Sequence, residues 1–195
     1  LYVIMLKNDP NHDQIQQLCE LGHYLPPDNL IKTHSEIEGV RRVCQLTRQI
    51  LDQLSDVRNF GAIVRTAECT GVDCIVIQSS GSAPVNGDTI KTSSGAIFNV
   101  PICKVSHIKD AIFLLKQHDI EVYGASEKSE KDIYETNFNN RQAIIMGSEG
   151  KGLSNSVINL CDHLIKIPLY GKIESLNVSV ACGTILYEMV RQKNY

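Results

Sequence analysis

The sequence predicts an α/β domain with a mostly parallel sheet flanked by helices. From about Leu51 onward, short apolar runs of strand length alternate with segments of helical spacing, and polar or turn residues bound each run. The chain has 195 residues, 43% of them hydrophobic, which is enough for one α/β domain with a real core plus a small appendage. Ligands of such sheets bind in loops beyond the carboxyl ends of the strands, so those loops are the places to look for chemistry.

Taken in order, residues 2–6 read as a strand, 13–21 as a helix, Pro26-Pro27 as a turn and 36–50 as a helix. This stretch is short for a core of its own, so 1–47 is expected to be a small accessory segment and 48–195 the main domain. Strands follow at 75–77, 122–125, 143–146 and 164–167, with helices at 108–118, 154–161 and 178–190. The loop 78–88 carries Ser79-Ser80-Gly81-Ser82 and is either a mobile cover or a plain surface loop.

The net charge of −3 is not that of a general nucleic-acid coat, though a few clustered Lys or Arg suffice for phosphate contacts. No apolar run is long enough to span a bilayer and no signal-peptide pattern opens the chain, so a cytoplasmic protein is expected. Seven cysteines form no CxxC pair and no His stands at metal-ligand spacing, which favours reduced thiols over disulfides and points to no metal.

Three segments need more than packing to explain them. In the stretch Asp56 to Glu68, Asn59 reads as a helix cap, and Arg58 and Arg65 stand seven residues apart on similar faces. A capped helix with two solvated arginines is the plain interpretation. Arg65 is nevertheless flanked by Ile63, Val64 and Ala67, and a guanidinium near a core needs an anionic partner. The second segment, Ile144 to Ser154, places Gly147, Gly150 and Gly152 after an apolar strand, where a ligand can approach the backbone. A simple strand-to-helix turn explains it equally well, and Leu153 where a phosphate loop needs its Lys rules against that motif. In the third, Pro168 ends a strand, Gly171 permits an unusual turn, Ser175 and Asn177 can cap the next helix, and Leu176 packs beneath.

Together these residues resemble the SpoU branch of the SPOUT RNA methyltransferases. The first family motif is matched by Asn59-x-Gly61-Ala62-x-x-Arg65-Thr66-Ala67, the second by Met146-Gly147-x-Glu149-Gly150-x-Gly152-Leu153. The third is matched by Ile167-Pro168-x-x-Gly171 and Ser175-Leu176-Asn177-Val178-Ser179-Val180-Ala181, and Lys91 to Ala96 resembles a further Ser-x-Gly-Ala stretch. The match runs in order over residues 51–192. One departure is Asp56-Val57, where the family often has Asp-Pro before the Asn, which changes the stiffness of that loop.

The resemblance implies a SPOUT fold whose C-terminal part is a deep trefoil knot, exceptional among folds. It implies S-adenosyl-L-methionine bent into that knot, held largely by backbone groups, with Gly147, Ile167 and Leu176, together with Met146 and Gly171, as the cofactor-binding residues. It implies a homodimer with the active site at the subunit interface, and methyl transfer to a ribose 2′-hydroxyl of RNA. The catalytic candidates it carries over are Arg65, Asn59, Glu149, Ser175 and Asn177. A guanidinium stays protonated far above neutral pH, so Arg65 is assigned as an electrostatic clamp on phosphate and developing alkoxide rather than as the base. Asn59 and Asn177 are assigned to the ribose, and Glu149 to positioning Arg65 or Asn59.

The nearest subgroup methylates a guanosine ribose in large-subunit rRNA and carries an N-terminal RNA-binding domain like ribosomal protein L30e. Residues 1–47 match that domain only in part. Ribosomal RNA is placed ahead of tRNA, whose methylating subgroup uses helical extensions. A non-catalytic RNA-binding or ribosome-assembly factor is the alternative from another class. A dinucleotide-binding dehydrogenase is a third and minor reading, because no G-x-G-x-x-G follows the first strand.

Overall fold

A computed structural model of the chain describes residues 2–6, 23–24, 57–79, 85–138, 141–147 and 152–194. Its strands are β1 (Tyr2–Leu6), β2 (His23–Tyr24), β3 (Val72–Gln78), β4 (Ile102–Val105), β5 (Glu121–Ala125), β6 (Gln142–Met146) and β7 (His163–Ile165). The helices are α1 (Val57–Cys69), α2 (Gly87–Thr92), α3 (Ile108–Gln117), α4 (Asn155–Ile158) and α5 (Val178–Asn194).

The seven strands form one sheet in the order β2-β4-β3-β1-β6-β5-β7. The pairs β3–β4, β5–β6 and β5–β7 are parallel. Strand β1 lies antiparallel between β3 and β6, with Ile4 opposite both Ile75 and Ile144, and β2 is antiparallel to β4. Strands β3, β4, β5, β6 and β7 therefore point the same way, and their carboxyl ends share one edge. The expected strand at 2–6 is thus present, but inside the main sheet rather than apart from it. The helices expected at 13–21 and 36–50 lie outside the described residues.

Side-chain alternation along the strands builds two cores. Ile75 and Ile77 of β3 and Ile144 and Met146 of β6 join Phe60, Ile63, Val64, Cys182, Ile185, Leu186 and Met189 beneath α1 and α5. Cys74, Val76, Ala143 and Ile145 face the other way, against Ile108, Ala111, Ile112 and Leu115 of α3 and Val157 of α4. Helix α1 forms because Asn59, Phe60, Ile63, Val64 and Ala67 fall on one buried face. Gly61 lets α2 close on that helix: a Cβ there would stand 2.6 Å from the Thr92 Cβ.

At the amino edge, Lys116 of α3 binds Asp162, just before β7, at 2.7 Å and donates to the Leu160 carbonyl at 3.0 Å. The other Asp162 oxygen accepts from the Val122 amide at 2.9 Å. Burial pushes the Asp162 carboxyl up, but the Lys116 and Val122 hydrogen bonds outweigh it and hold the group below its ordinary value. A depressed folded-state pKa means that the stabilisation is present above the unfolded value, roughly pH 4, and is lost as pH falls through the folded one. Lys116→Met is expected to cost about 1 kcal/mol or less at neutral pH, because both groups are a third exposed. In urea titrations across pH 2 to 7 (roughly the carboxylate range and above) it should also flatten the acid-side fall in stability.

Helix α5 is tied down at its far end as well. Arg191 donates to both oxygens of the buried Glu188 at 2.9 and 2.8 Å. Gln192 donates to Glu188 and to the Thr136 carbonyl, and accepts from the Phe138 amide. The Arg191 hydrogen bonds hold the Glu188 carboxyl below its ordinary range.

Candidate functional site

The start of α5 is organised by Asn177. Its Oδ1 accepts from the Ser179 amide at 2.9 Å and the Val180 amide at 3.3 Å, capping a helix whose first amides have no intrahelical acceptor. The Ser179 hydroxyl donates to the same oxygen at 2.6 Å. The Asn177 amide in turn donates to Asn59 Oδ1 at 3.0 Å, and the Ser179 hydroxyl also lies within 3.3 Å of that atom. Residues more than a hundred positions apart in sequence are thereby joined in one polar cluster.

Asn59 is therefore not a cap. It sits inside α1, 7% exposed, with its side chain turned toward the entry of α5. Val57, two residues before it, is already helical. Asn177→Ala is expected to cost about 0.5–2 kcal/mol through the lost cap, read by urea denaturation, with Asn59 losing one donor at the same time.

Arg65 lies on the solvent side of α1. Its sequence neighbours Ile63 and Val64 are both fully buried. At about 100° per residue a helix turns consecutive side chains to different faces, so apolar neighbours do not bury the guanidinium. The anionic partner expected for it is not found among the described residues. Among the described residues Arg65 thus presents an unpaired fork of donors from the same helix that carries Asn59.

The second loop leaves Met146, buried at the end of β6. A Cβ on Gly147 would stand 2.7 Å from the Gly152 Cα and 2.8 Å from its carbonyl oxygen, so the two ends of the loop are pinched backbone to backbone. Gly152 has φ +62°, a left-handed conformation that favours glycine. Glu149 lies between them, outside the described residues. The pinch fixes the backbone path at the carboxyl end of β6, where a side chain on Gly147 has no room.

The third loop runs from Ile167 to the cap. Ile167 is half-buried and packs against the core beneath α1 and α5. Gly171, Ser175 and Asn177 are exposed, and Ser175 makes no hydrogen bond among the described residues. Leu176, expected beneath the helix, is instead 40% exposed. The packing position belongs to Val178, 5% exposed. Ser179 escaped the sequence-based assignment, although an Asn two residues before a Ser at a helix start is a recognisable capping signal.

A pinched glycine loop, a polar helix entry and an arginine with no partner among the described residues, in an α/β sheet with five strands ending at one edge, are the arrangement of a strand-end ligand site. The chain belongs to the SpoU rRNA Methylase family, whose model matches residues 47–187. It is 36% identical over 189 residues to a Staphylococcus aureus protein assigned to the TrmH family of tRNA/rRNA methyltransferases, covering 97% of this chain and 74% of that one. It is also 36% identical over 144 residues to the Yersinia pestis 23S rRNA (guanosine-2′-O-)-methyltransferase RlmB, covering 74% of this chain and 58% of that one. Among solved structures it is similar to the SpoU methyltransferase AviRb from Streptomyces viridochromogenes in complex with AdoMet. There the TM-score is 0.65 and the identity 29%, over 70% of this chain and 56% of that one. The chain thus spans little more than half the length of RlmB and AviRb. No helix among the described residues is long and apolar enough to cross a membrane.

Proposed function

We propose that this chain methylates a ribose 2′-hydroxyl of RNA, with S-adenosyl-L-methionine as donor and a guanosine of large-subunit rRNA as target. The observation that carries the reading is the junction of the first and third motifs through Asn59, Asn177 and Ser179. It forms on the same sheet as the pinched Gly147–Gly152 loop. The rRNA assignment rests on the likeness to RlmB. The staphylococcal relative, named for both tRNA and rRNA, keeps tRNA as the second reading.

The donor supplies an electrophilic methyl group. The chain's own part is to hold and orient. Met146, Gly147, Ile167, Gly171 and Leu176 line the donor side, where the close approach of Gly147 and Gly152 sets the path of the backbone. Asn59 and Asn177 form a hydrogen-bonded amide pair that is assigned to orient the ribose. Glu149 and Ser175 complete the acceptor side. Arg65 supplies a permanent positive charge for phosphate and for the alkoxide character that develops on the attacking oxygen.

The SPOUT knot, threading the segment after β7 past the Gly147–Gly152 loop, is the arrangement that brings these two loops onto one donor. A homodimer fits the exposed apolar side chains around α5: Ile173 is 78% exposed, Val180 54% and Tyr187 56%. In that assembly a second copy meets Arg65. The remainder of residues 1–47 serves as the accessory RNA-binding segment beside the 48–195 methyltransferase domain, and the protein acts in the cytoplasm. Mapping ribose methylation across rRNA and tRNA in cells with and without the protein tests the target. One site lost from large-subunit rRNA is expected, whereas a lost tRNA site, or no lost site, contradicts the assignment.

A further inference from the structure

We propose that Glu127, which lies outside all three sequence motifs, is a donor-binding residue whose carboxylate accepts from the ribose hydroxyls of the S-adenosyl group. The inference rests on the reading of the site as an S-adenosylmethionine pocket.

Glu127 follows β5 at the carboxyl edge of the sheet. The segment after that strand is fastened alongside the start of the third motif: the Ser126 amide donates to the Ile165 carbonyl at 2.9 Å, the Lys166 amide to Lys131 at 3.0 Å and the Ile133 amide to Lys166 at 2.9 Å. On its other side it meets the second motif. A Cβ on Gly152 would stand 3.8 and 3.9 Å from the two carboxylate oxygens of Glu127. The same Gly152 backbone is pressed against Gly147. Glu127 therefore stands between the two loops that are to hold the donor, beside Gly152 at the pinch of the second.

The chemistry of the pocket needs such a group. Met146, Gly147, Ile167, Gly171 and Leu176 carry no charged side chain and no side-chain acceptor stronger than a thioether. A vicinal diol presents two adjacent O–H donors, which a carboxylate satisfies with one oxygen each. Both oxygens of Glu127 are nearly equidistant from the Gly152 position, so both are presented to the same side. The carboxylate is exposed and makes no hydrogen bond or ion pair among the described residues. An acidic side chain beyond the neighbouring strand holds a ribose in the same manner in other open α/β sheets.

The test is calorimetric binding of S-adenosylmethionine, S-adenosylhomocysteine and 5′-methylthioadenosine to the full chain and to its Glu127→Gln, Glu127→Asp and Glu127→Ala variants. The third ligand keeps the ribose but lacks the amino-acid portion. The expected result is a loss of about tenfold or more with Gln and Ala for all three ligands, and partial recovery with Asp. Unchanged affinity in every variant overturns the proposal, as does a loss confined to the two ligands that carry an ammonium group. Failure of the unsubstituted chain to bind any of the three overturns the reading of the pocket itself.

Discussion

Replacing Arg65 with alanine is expected to lower the methyl-transfer rate by about 100- to 1000-fold, the usual cost of removing one fixed donor from a developing oxyanion. Donor affinity should stay within about twofold, because Arg65 is assigned no contact with the donor and a twofold change is only a fraction of the ~1.4 kcal/mol that a decade represents. Folding should hold as well, since the side chain is exposed and makes no hydrogen bond or ion pair among the described residues. Arg65→Lys keeps the charge but loses the planar fork, so it should recover part of the rate. Single-turnover transfer of labelled methyl groups, paired with calorimetry of donor binding, separates these effects. A variant that turns over like the unsubstituted protein would remove Arg65 from the acceptor side. One that merely fails to bind donor would move it to the other half of the site.

Gly147→Ala is the second large effect. The added Cβ meets the carbon, Cα and oxygen of Gly152, all main-chain atoms that cannot swing aside as the end of a side chain can. Overpacking of this kind costs about 1–3 kcal/mol when the structure must move to relieve it. Here the relief opens the pinch, so a drop in donor affinity of more than about tenfold is expected, in line with a cost of at least ~1.4 kcal/mol. The sheet itself need not unfold. Urea denaturation and donor calorimetry on the same preparation check both parts, and unaltered binding would show that the loop ends do not grip the donor.

The strand-end loops were legible because glycine, proline and capping residues leave a local signature that needs no tertiary information. Strand β4 was not, since Ile102–Val105 is only four residues, starts right after Pro101 and is interrupted by Lys104. Strand β1 was legible as a strand, but an apolar run carries no sign of direction, and its antiparallel place between β3 and β6 follows from partners distant in sequence. Asn59 has the residue type of a cap, and its contact to Asn177 instead draws it into α1 as a bridge. Arg65 looked enclosed because its sequence neighbours are apolar, yet a helix separates neighbours by about 100°. Glu127 has no local signature at all. Only the juxtaposition of the β5 and β6 strand ends brings it beside Gly152.

Incubating the protein with labelled S-adenosylmethionine and bacterial ribosomal RNA, then digesting to nucleosides and resolving them by mass spectrometry, tests the proposed reaction most directly. The expected product is a single 2′-O-methylated guanosine, with the label on the ribose, lost in Arg65→Ala. Label on a base, or no transfer from a donor that is demonstrably bound, would contradict it.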